Sequence, residues 1–281
     1  MPATRAFRQV DVFSAEPLLG NPVAVVHDAD GLSDEQMAAF ARWTNLSETT
    51  FLLTPTDPGA DYRVRIWTPG GELPFAGHPT LGSAHAWLEA GGEPAADGVV
   101  VQECPAGLVD VRRGERLAFT APPLVRSGPV ADDDLAHALR VLGLDEAAVV
   151  EAAWIDNGPG WMGLLLPDAA TVLACRPDYG AFDDLKVGIV GPWPAGSECA
   201  VEVRAFCPGY GPEEDPVTGS LNAGIGQWLG GRVLPSSYVA AQGTALHRRG
   251  RVHVTREEDV VRVGGDTRTT IVGTVGLDRL H

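Results

Sequence analysis

Glu48 lies in Asn45-Leu46-Ser47-Glu48-Thr49-Thr50-Phe51, a carboxylate between hydroxyl residues directly ahead of the apolar run Phe51-Leu52-Leu53. Alone, the pattern reads as a solvated acid, or as turn and cap chemistry after a helix. A carboxylate whose surroundings raise its pKa toward the working pH can also act as base and then acid within one turnover. Moving a proton between two carbons requires that sequence of roles. Leu46 and Phe51 are the neighbours that would supply apolar surroundings. Two further loops carry candidates. Gly77-His78-Pro79-Thr80 leads into a helix with Pro79 at or near its first position. Asp215-Pro216-Val217-Thr218-Gly219-Ser220 leads into another, with Thr218 or Ser220 as N-cap. Each helix N-terminus presents unpaired N–H groups and partial positive charge, a small anion receptor.

The elements that must position these residues are legible as alternating strands and amphipathic helices. Val10 and Val12 alternate with polar neighbours and predict an early strand. Ser33-Asp34-Glu35-Gln36 forms a capping box that opens a helix through Met37, Phe40 and Ala41. Strands are predicted near 61–67, 98–103, 107–112 and 115–120, and a helix from Asp132 to Leu142. The prolines of Thr120-Ala121-Pro122-Pro123-Leu124 mark an exit from one domain. Val64-Arg65-Ile66-Trp67-Thr68-Pro69-Gly70 recurs as Val203-Arg204-Ala205-Phe206-Cys207-Pro208-Gly209. A polar loop and an apolar helix follow each copy, and the helices end alike in Trp87-Leu88 and Trp228-Leu229. The chain therefore reads as two similar halves. One covers 1–122, with 268–281 returning to it as a strand, and the other covers 123–267. If the halves pack about a pseudo-twofold axis, both receptors face one cleft.

Composition narrows the ligand. The 281 residues are 44% hydrophobic and 21% charged, as in a globular protein. A net charge of −16 with no basic cluster argues against nucleic acid or an anionic membrane as partner. No apolar run approaches the roughly 20 residues that span a bilayer, and the N-terminal stretch lacks a signal peptide's apolar segment. Cys104, Cys175, Cys199 and Cys207 form no CxxC pair, which points to a reducing cytoplasm. The expected partner is a small carboxylate, held by local donors that outweigh a screened global charge.

Five stretches in order give the chain a family resemblance. They are Gly20-Asn21-Pro22-Val23-Ala24-Val25-Val26, Leu46-Ser47-Glu48-Thr49-Thr50-Phe51, Glu72-Leu73-Pro74-Phe75-Ala76-Gly77-His78-Pro79-Thr80, Glu214-Asp215-Pro216-Val217-Thr218-Gly219-Ser220 and Gln242-Gly243. Together they resemble the phenazine-biosynthesis PhzF-like family, within the diaminopimelate-epimerase-like fold. The resemblance implies an α/β (α+β) protein of two pseudo-symmetric lobes. Each lobe would be a curved sheet around a central helix, with the active site in the cleft between them. It also implies a cofactor-independent isomerase in secondary metabolism, without metal, and a homodimer. Glu48 matches the family's catalytic acid/base, and His78 and Asp215 match its other catalytic positions. Gly77, Gly219 and Ser220 match ligand-holding positions, and Ser47 and Thr218 are expected to join them in binding substrate.

Other chemistries have less support. Epimerases of this fold use one cysteine from each half, but the matching loop positions here hold Ala76 and Pro216. Cys207, opposite Thr68, reads as a packed thiol. Two-thiol racemisation is disfavoured on that ground. His78 and His85 lie too far apart on one helix to share a metal. Gly209-Tyr210-Gly211-Pro212-Glu213-Glu214 lacks the phosphate-loop pattern, and no GxSxG elbow is present. Trp154, Trp161 and Trp193 read as core or interface residues before pocket walls. Leu221-Asn222 replaces the Ala-His that commonly follows the Asp-Pro-Val-Thr-Gly-Ser motif, a change expected to bear on substrate shape. Two other readings keep the site but change its use: hydrolytic or carbon–carbon-cleaving chemistry on a related metabolite, or binding of a small acid without catalysis.

Overall fold

The structure is a computed structural model that describes residues 4–209 and 212–277. Tyr210 and Gly211, within the loop judged unlike a phosphate loop, lie outside the described residues, as do 278–281 of the expected returning strand. The chain divides into two compact units, Met1–Thr120 with Gly264–His281, and Ala121–Val263.

The first unit begins with β1 (Thr4–Val12), β2 (Asn21–Val26), α1 (Asp34–Thr44), β3 (Glu48–Leu53) and β4 (Tyr62–Thr68). It continues with β5 (Gly71–Leu73), α2 (Gly77–Glu89), β6 (Val99–Cys104), β7 (Gly107–Arg113) and β8 (Leu117–Thr120). The capping box starts α1 as the sequence requires: Gln36 N–H donates to Ser33 Oγ, and Ser33 N–H donates to Gln36 Oε1. Asn45, left-handed at φ 52°, stops the helix with its N–H on Ala41 O. Met37, Phe40 and Ala41 of α1 pack with Phe51 and Trp67 as one apolar cluster.

The second unit holds β9 (Arg126–Pro129), α3 (Asp132–Leu142), β10 (Glu151–Asp156), β11 (Trp161–Leu165) and α4 (Ala169–Ala174). Then come β12 (Lys186–Pro192), β13 (Val201–Phe206), β14 (Glu214–Asp215), α5 (Gly219–Leu229), β15 (Ser237–Gln242), β16 (Gly250–Glu257) and β17 (Val260–Gly265). Three acids in the first turn of α3 complement its dipole. Its Ala138, Val141 and Leu142 pack with Met162, Phe182 and Phe206. The chain then returns as β18 (Thr267–Gly276), which pairs antiparallel with β1.

The repeated sequence folds into a repeated topology. In the first unit β2 and β3 are parallel, β3 and β4 antiparallel, β4 and β5 antiparallel, β4 and β6 parallel, and β6 and β7 antiparallel. In the second, β11 through β16 repeat that series pair for pair. The helix that follows the short fifth strand is central in each unit. α2 touches β1, β2, β3, β6, β7, β8 and β18, and α5 touches β10, β11 and β16. Both helices are buried nearly all round, so their residues must be small where strands approach. A methyl group on Gly82 would sit 2.3 Å from Val23 Cγ1, and one on Gly224 would sit 2.5 Å from Ile155 O. The protein is thus an α/β (α+β) fold dominated by sheet, with few helices. Among the described residues no helix is long and apolar enough to cross a membrane.

Each unit also uses its repeated arginine alike. Arg65 holds Glu72 through Nε and Nη2 at 2.6 Å each, and Arg204 holds Glu214 through the same atoms at 2.9 and 2.8 Å. Each pair ties β4 or β13 to the loop that leads into the central helix. The difference is burial. The Arg204 and Glu214 side chains are 5% and 4% exposed, against 23% and 28% for Arg65 and Glu72. Removing one partner of a buried pair strands the other charge, at about 3–5 kcal/mol. Exposed pairs contribute about 1 kcal/mol or less. Arg204→Met is therefore expected to lower unfolding free energy by about 3–5 kcal/mol in urea denaturation. Arg65→Met is expected to lower it by about 1 kcal/mol or less.

Candidate functional site

In the first unit, the left-handed Asn45 turns the chain out of α1, and Leu46-Ser47 deliver Glu48 to the start of β3. Glu48 pairs with Val23 of the parallel neighbour β2. Side chains alternate along a strand, so Glu48 and Thr50 share a face. Thr50 is bonded by Ser83 of α2 at 2.9 Å, which identifies that face as the one toward α2. Thr49 and Phe51 point the other way, where Thr49 bonds Thr44 of α1 at 2.9 Å and Phe51 joins the α1 cluster. The expectation that Phe51 shields Glu48 is corrected by this parity. The neighbour of Glu48 is instead polar: His78 Nε2 lies 3.3 Å from Glu48 Oε2.

The Glu48 side chain is 14% exposed and His78 is 3% exposed. Burial pushes the His78 pKa down to about 3, so the ring is neutral through the working pH range. The Glu48 approach is close, but it lacks hydrogen-bond alignment at Nε2. On the ring's other side the Asn21 amide nitrogen lies 3.3 Å from Nδ1. Gly77, His78 and Pro79 occupy the first three positions of α2, after an N-cap at Ala76 whose side chain makes no capping bond. Pro79 thus sits at the third helical position, where it still removes a donor that a buried helix start would have to satisfy.

The other candidates gather in the second unit, around Gln242 at the end of β15. Its Oε1 accepts from Thr218 N–H at 3.0 Å and from Asn222 Nδ2 at 2.8 Å. Its Nε2 donates to Thr218 Oγ1 at 2.9 Å and to Asp215 O at 3.1 Å. Thr218 in turn donates its hydroxyl to Asp215 Oδ2 at 2.5 Å. Thr218 is the N-cap of α5 by position, but its hydroxyl is spent on Asp215 and caps nothing. Ser220 is not the cap. It lies inside the helix, where Trp161 Nε1 donates to its Oγ at 2.9 Å and Asn157 Nδ2 donates to its carbonyl at 2.9 Å. Gly219 is the first helical residue, and neither α2 nor α5 has a side-chain cap.

The candidates therefore form two groups, Ser47, Glu48, Gly77 and His78 in one unit and Asp215, Thr218, Gly219 and Ser220 in the other. Sequence reasoning missed the contacts of Asn21, Asn157 and Trp161, and quoted Gln242 only as part of a motif. Leu221 and Asn222 are both fully buried: Leu221 fills the space above Gly188, and Asn222 bonds Gln242 and Thr218 O. That departure packs α5 and, through Asn222 and Gln242, joins the network around Thr218. All four cysteines are free, three of them buried and Cys207 half-buried. Among the described residues no group of three or more His, Cys, Asp or Glu is placed to hold a metal.

The sequence pattern of the phenazine biosynthesis-like protein family (PhzC-PhzF) matches residues 10–276. The chain is 37% identical to Antisense-enhancing sequence 1 of Schizosaccharomyces pombe, over 95% of this chain and 97% of that protein. It is 38% identical to the trans-2,3-dihydro-3-hydroxyanthranilate isomerase of Pseudomonas aeruginosa, over 75% of this chain and 74% of that one. Its fold is similar to that of a PhzF-family phenazine biosynthesis protein of Enterococcus faecalis, with a TM-score of 0.80 at 25% identity, covering 97% and 99% of the two chains.

Two outcomes test this geometry without a substrate. Gln242→Ala strands the buried Thr218 and Asn222 donors at about 1–3 kcal/mol per group, so urea denaturation is expected to show a loss of about 3 kcal/mol or more. For His78, the unfolded chain binds the proton more strongly, because its pKa of about 6.5 exceeds the folded value of about 3. Stability from the neutral ring is thus complete above about pH 6.5 and is lost progressively as pH falls toward about 3. Burial lowers His27 likewise, to about 4. The urea midpoint is expected to fall between about pH 7 and 5, and to fall less steeply in His78→Gln.

Proposed function

The chain belongs to the phenazine biosynthesis-like (PhzC-PhzF) family and is an isomerase, and we propose that it moves a proton between carbons of a small carboxylate-bearing, unsaturated or cyclic metabolite. The observation that carries this reading is the pairing of Glu48 with a neutral, buried His78 at 3.3 Å. Glu48 takes the proton from one carbon and returns it to another. The electron pair left on carbon spreads into the substrate's own conjugated system, so the chemistry needs no cofactor. His78, whose ring burial keeps uncharged, positions the substrate and assists the transfer. It steadies the Glu48 carboxylate from one side.

Asp215 is proposed as a second catalytic group, with Ser47, Gly77, Thr218, Gly219 and Ser220 as substrate-binding positions. The uncapped first turns of α2 and α5 suit carboxylate or carbonyl oxygens, whose charge the backbone N–H groups offset. A substrate in the class of trans-2,3-dihydro-3-hydroxyanthranilate, named for the Pseudomonas aeruginosa relative, combines the carboxylate and unsaturation that this chemistry needs. A role in secondary metabolism, a reducing cytoplasm and a homodimer complete the proposal. The four free cysteines and the charge of −16 fit a small-molecule enzyme that binds neither nucleic acid nor membrane.

Removing a general acid/base typically lowers turnover by about 10²–10⁴-fold. Glu48→Gln is expected to lose turnover in that range while retaining ligand binding. The measurement is deuterium uptake from D₂O by trans-2,3-dihydro-3-hydroxyanthranilate and related unsaturated amino acids, read by mass spectrometry and NMR. Uptake that survives in folded Glu48→Gln would remove Glu48 from the reaction. A product heavier by one water would replace isomerisation with hydrolysis.

A further inference from the structure

The two ring nitrogens of His78 face two different partners, and the partner on the Nδ1 side bears on where the ring proton sits. Asn21, the first residue of β2 and fully buried, places its amide nitrogen 3.3 Å from Nδ1. An amide nitrogen donates and cannot accept. With the Asn21 amide oriented in this way, Nδ1 presents its lone pair, and the single proton of the neutral imidazole is on Nε2, the nitrogen that faces Glu48. We infer that Asn21 is a positioning residue, which holds His78 in the Nε2–H tautomer and so keeps an N–H donor in front of the Glu48 carboxylate. The inference deepens the proposed function and depends on Glu48 being its acid/base.

The alternative tautomer shows what Asn21 contributes. With the proton on Nδ1, that N–H would point at the N–H of the Asn21 amide, and the bare Nε2 would turn its lone pair toward a carboxylate oxygen. Both contacts would be repulsive, the one with Asn21 in a fully buried place. With the proton on Nε2, Nδ1 accepts from Asn21, and Glu48 faces the positive end of an N–H dipole at 3.3 Å, close but not aligned as a hydrogen bond. The ring then favours the carboxylate and needs no charge of its own. Support from a neutral donor also suits a carboxylate that must both take and return a proton. A buried imidazolium at the same place would hold Glu48 ionised too strongly to be a good base.

Both carriers of this arrangement are fixed by close backbone approach. A Cβ on Gly20 would lie 2.2 Å from Val12 O, so only glycine lets the chain enter β2 there. The Gly20 N–H is tied to Asp11 Oδ2 at 3.2 Å, and Asn21 pairs with Val12 in the β1–β2 register. His78 is held from the other side by α2, which Gly82 allows to close on Val23, two residues beyond Asn21. Asn21 and His78 thus meet because the backbone of α2 closes on the β2 side chains at Gly82.

The test reads the tautomer directly in the substrate-free protein. Long-range ¹H–¹⁵N correlation spectra of ¹⁵N-labelled protein distinguish Nδ1–H, Nε2–H and doubly protonated rings. The His78 signals are those missing from the spectrum of His78→Gln. In the wild type, His78 is expected as the neutral Nε2–H form throughout about pH 5–8. In Asn21→Asp the new carboxylate accepts from Nδ1, so the ring is expected to become Nδ1-protonated. Turnover is then expected to fall about 10- to 100-fold, by analogy with the partners that orient metal-ligating histidines, with KM little changed. A wild-type ring protonated on Nδ1 overturns the inference, and needs no variant to fold. An unchanged tautomer in Asn21→Asp, or a switched tautomer with unchanged turnover, overturns it equally. Because the tautomer is read without substrate, a Glu48→Gln protein that keeps its turnover would refute the proposed reaction and leave the Asn21–His78 result to be judged separately.

Discussion

A helix buried on nearly every side depends on other elements for polar partners at its first turn, and the organisation of both units follows from that constraint. The leading N–H groups of α2 and α5 need polar company brought to them from other elements. α5 receives it from Gln242, whose amide accepts the Thr218 N–H and holds the preceding loop. α2 reduces the demand by placing Pro79, which has no N–H, in its first turn, and by setting Glu48, His78 and Asn21 around that end. Polar side chains therefore collect at both helix starts, where buried backbone requires them. Their chemical usefulness is built on a structural need.

The two units share a topology and differ in how they use it. Trp67 pairs with Thr49 and Phe206 with Val187, so the repeat places Lys186 where the first unit has Glu48. Lys186 donates to Pro159 O at 2.7 Å and steadies the β10–β11 turn. The repeated Arg–Glu pair is half-buried in one unit and nearly sealed in the other, and only the sealed pair sits directly before a candidate catalytic residue, Asp215. Duplication supplied one scaffold twice, and each copy acquired its own polar equipment.

Much of this was readable from the residues alone. The capping box, the repeated strand–loop–helix unit and the matched Trp-Leu endings are local patterns, and local patterns survive into the fold. The joining of Glu48 to His78 was carried by family resemblance, since twenty-nine residues of intervening chain conceal a 3.3 Å approach. Three features were not legible. Strand parity sends Phe51 away from Glu48, and it shows only once the position of α2 is known. Ser220 looks like a cap by residue type, but Trp161 reaches it from a distant hairpin. Gln242 and Asn222 are ordinary amides in sequence, and their importance lies in which buried groups they happen to meet.

The pairing of β18 with β1 joins the first strand of the chain to the last over nine matched residues. Until residues 267–276 leave the ribosome, one side of β1 has no partner, although the rest of its sheet has long been synthesised. At about 5–20 residues per second, that interval is on the order of ten seconds or more. A nascent first unit must therefore persist with an open strand edge, the kind of surface that recruits other chains. Closure of this unit is a late, long-range event, so its maturation is timed by the synthesis of residues 267–276 rather than by that of its own core.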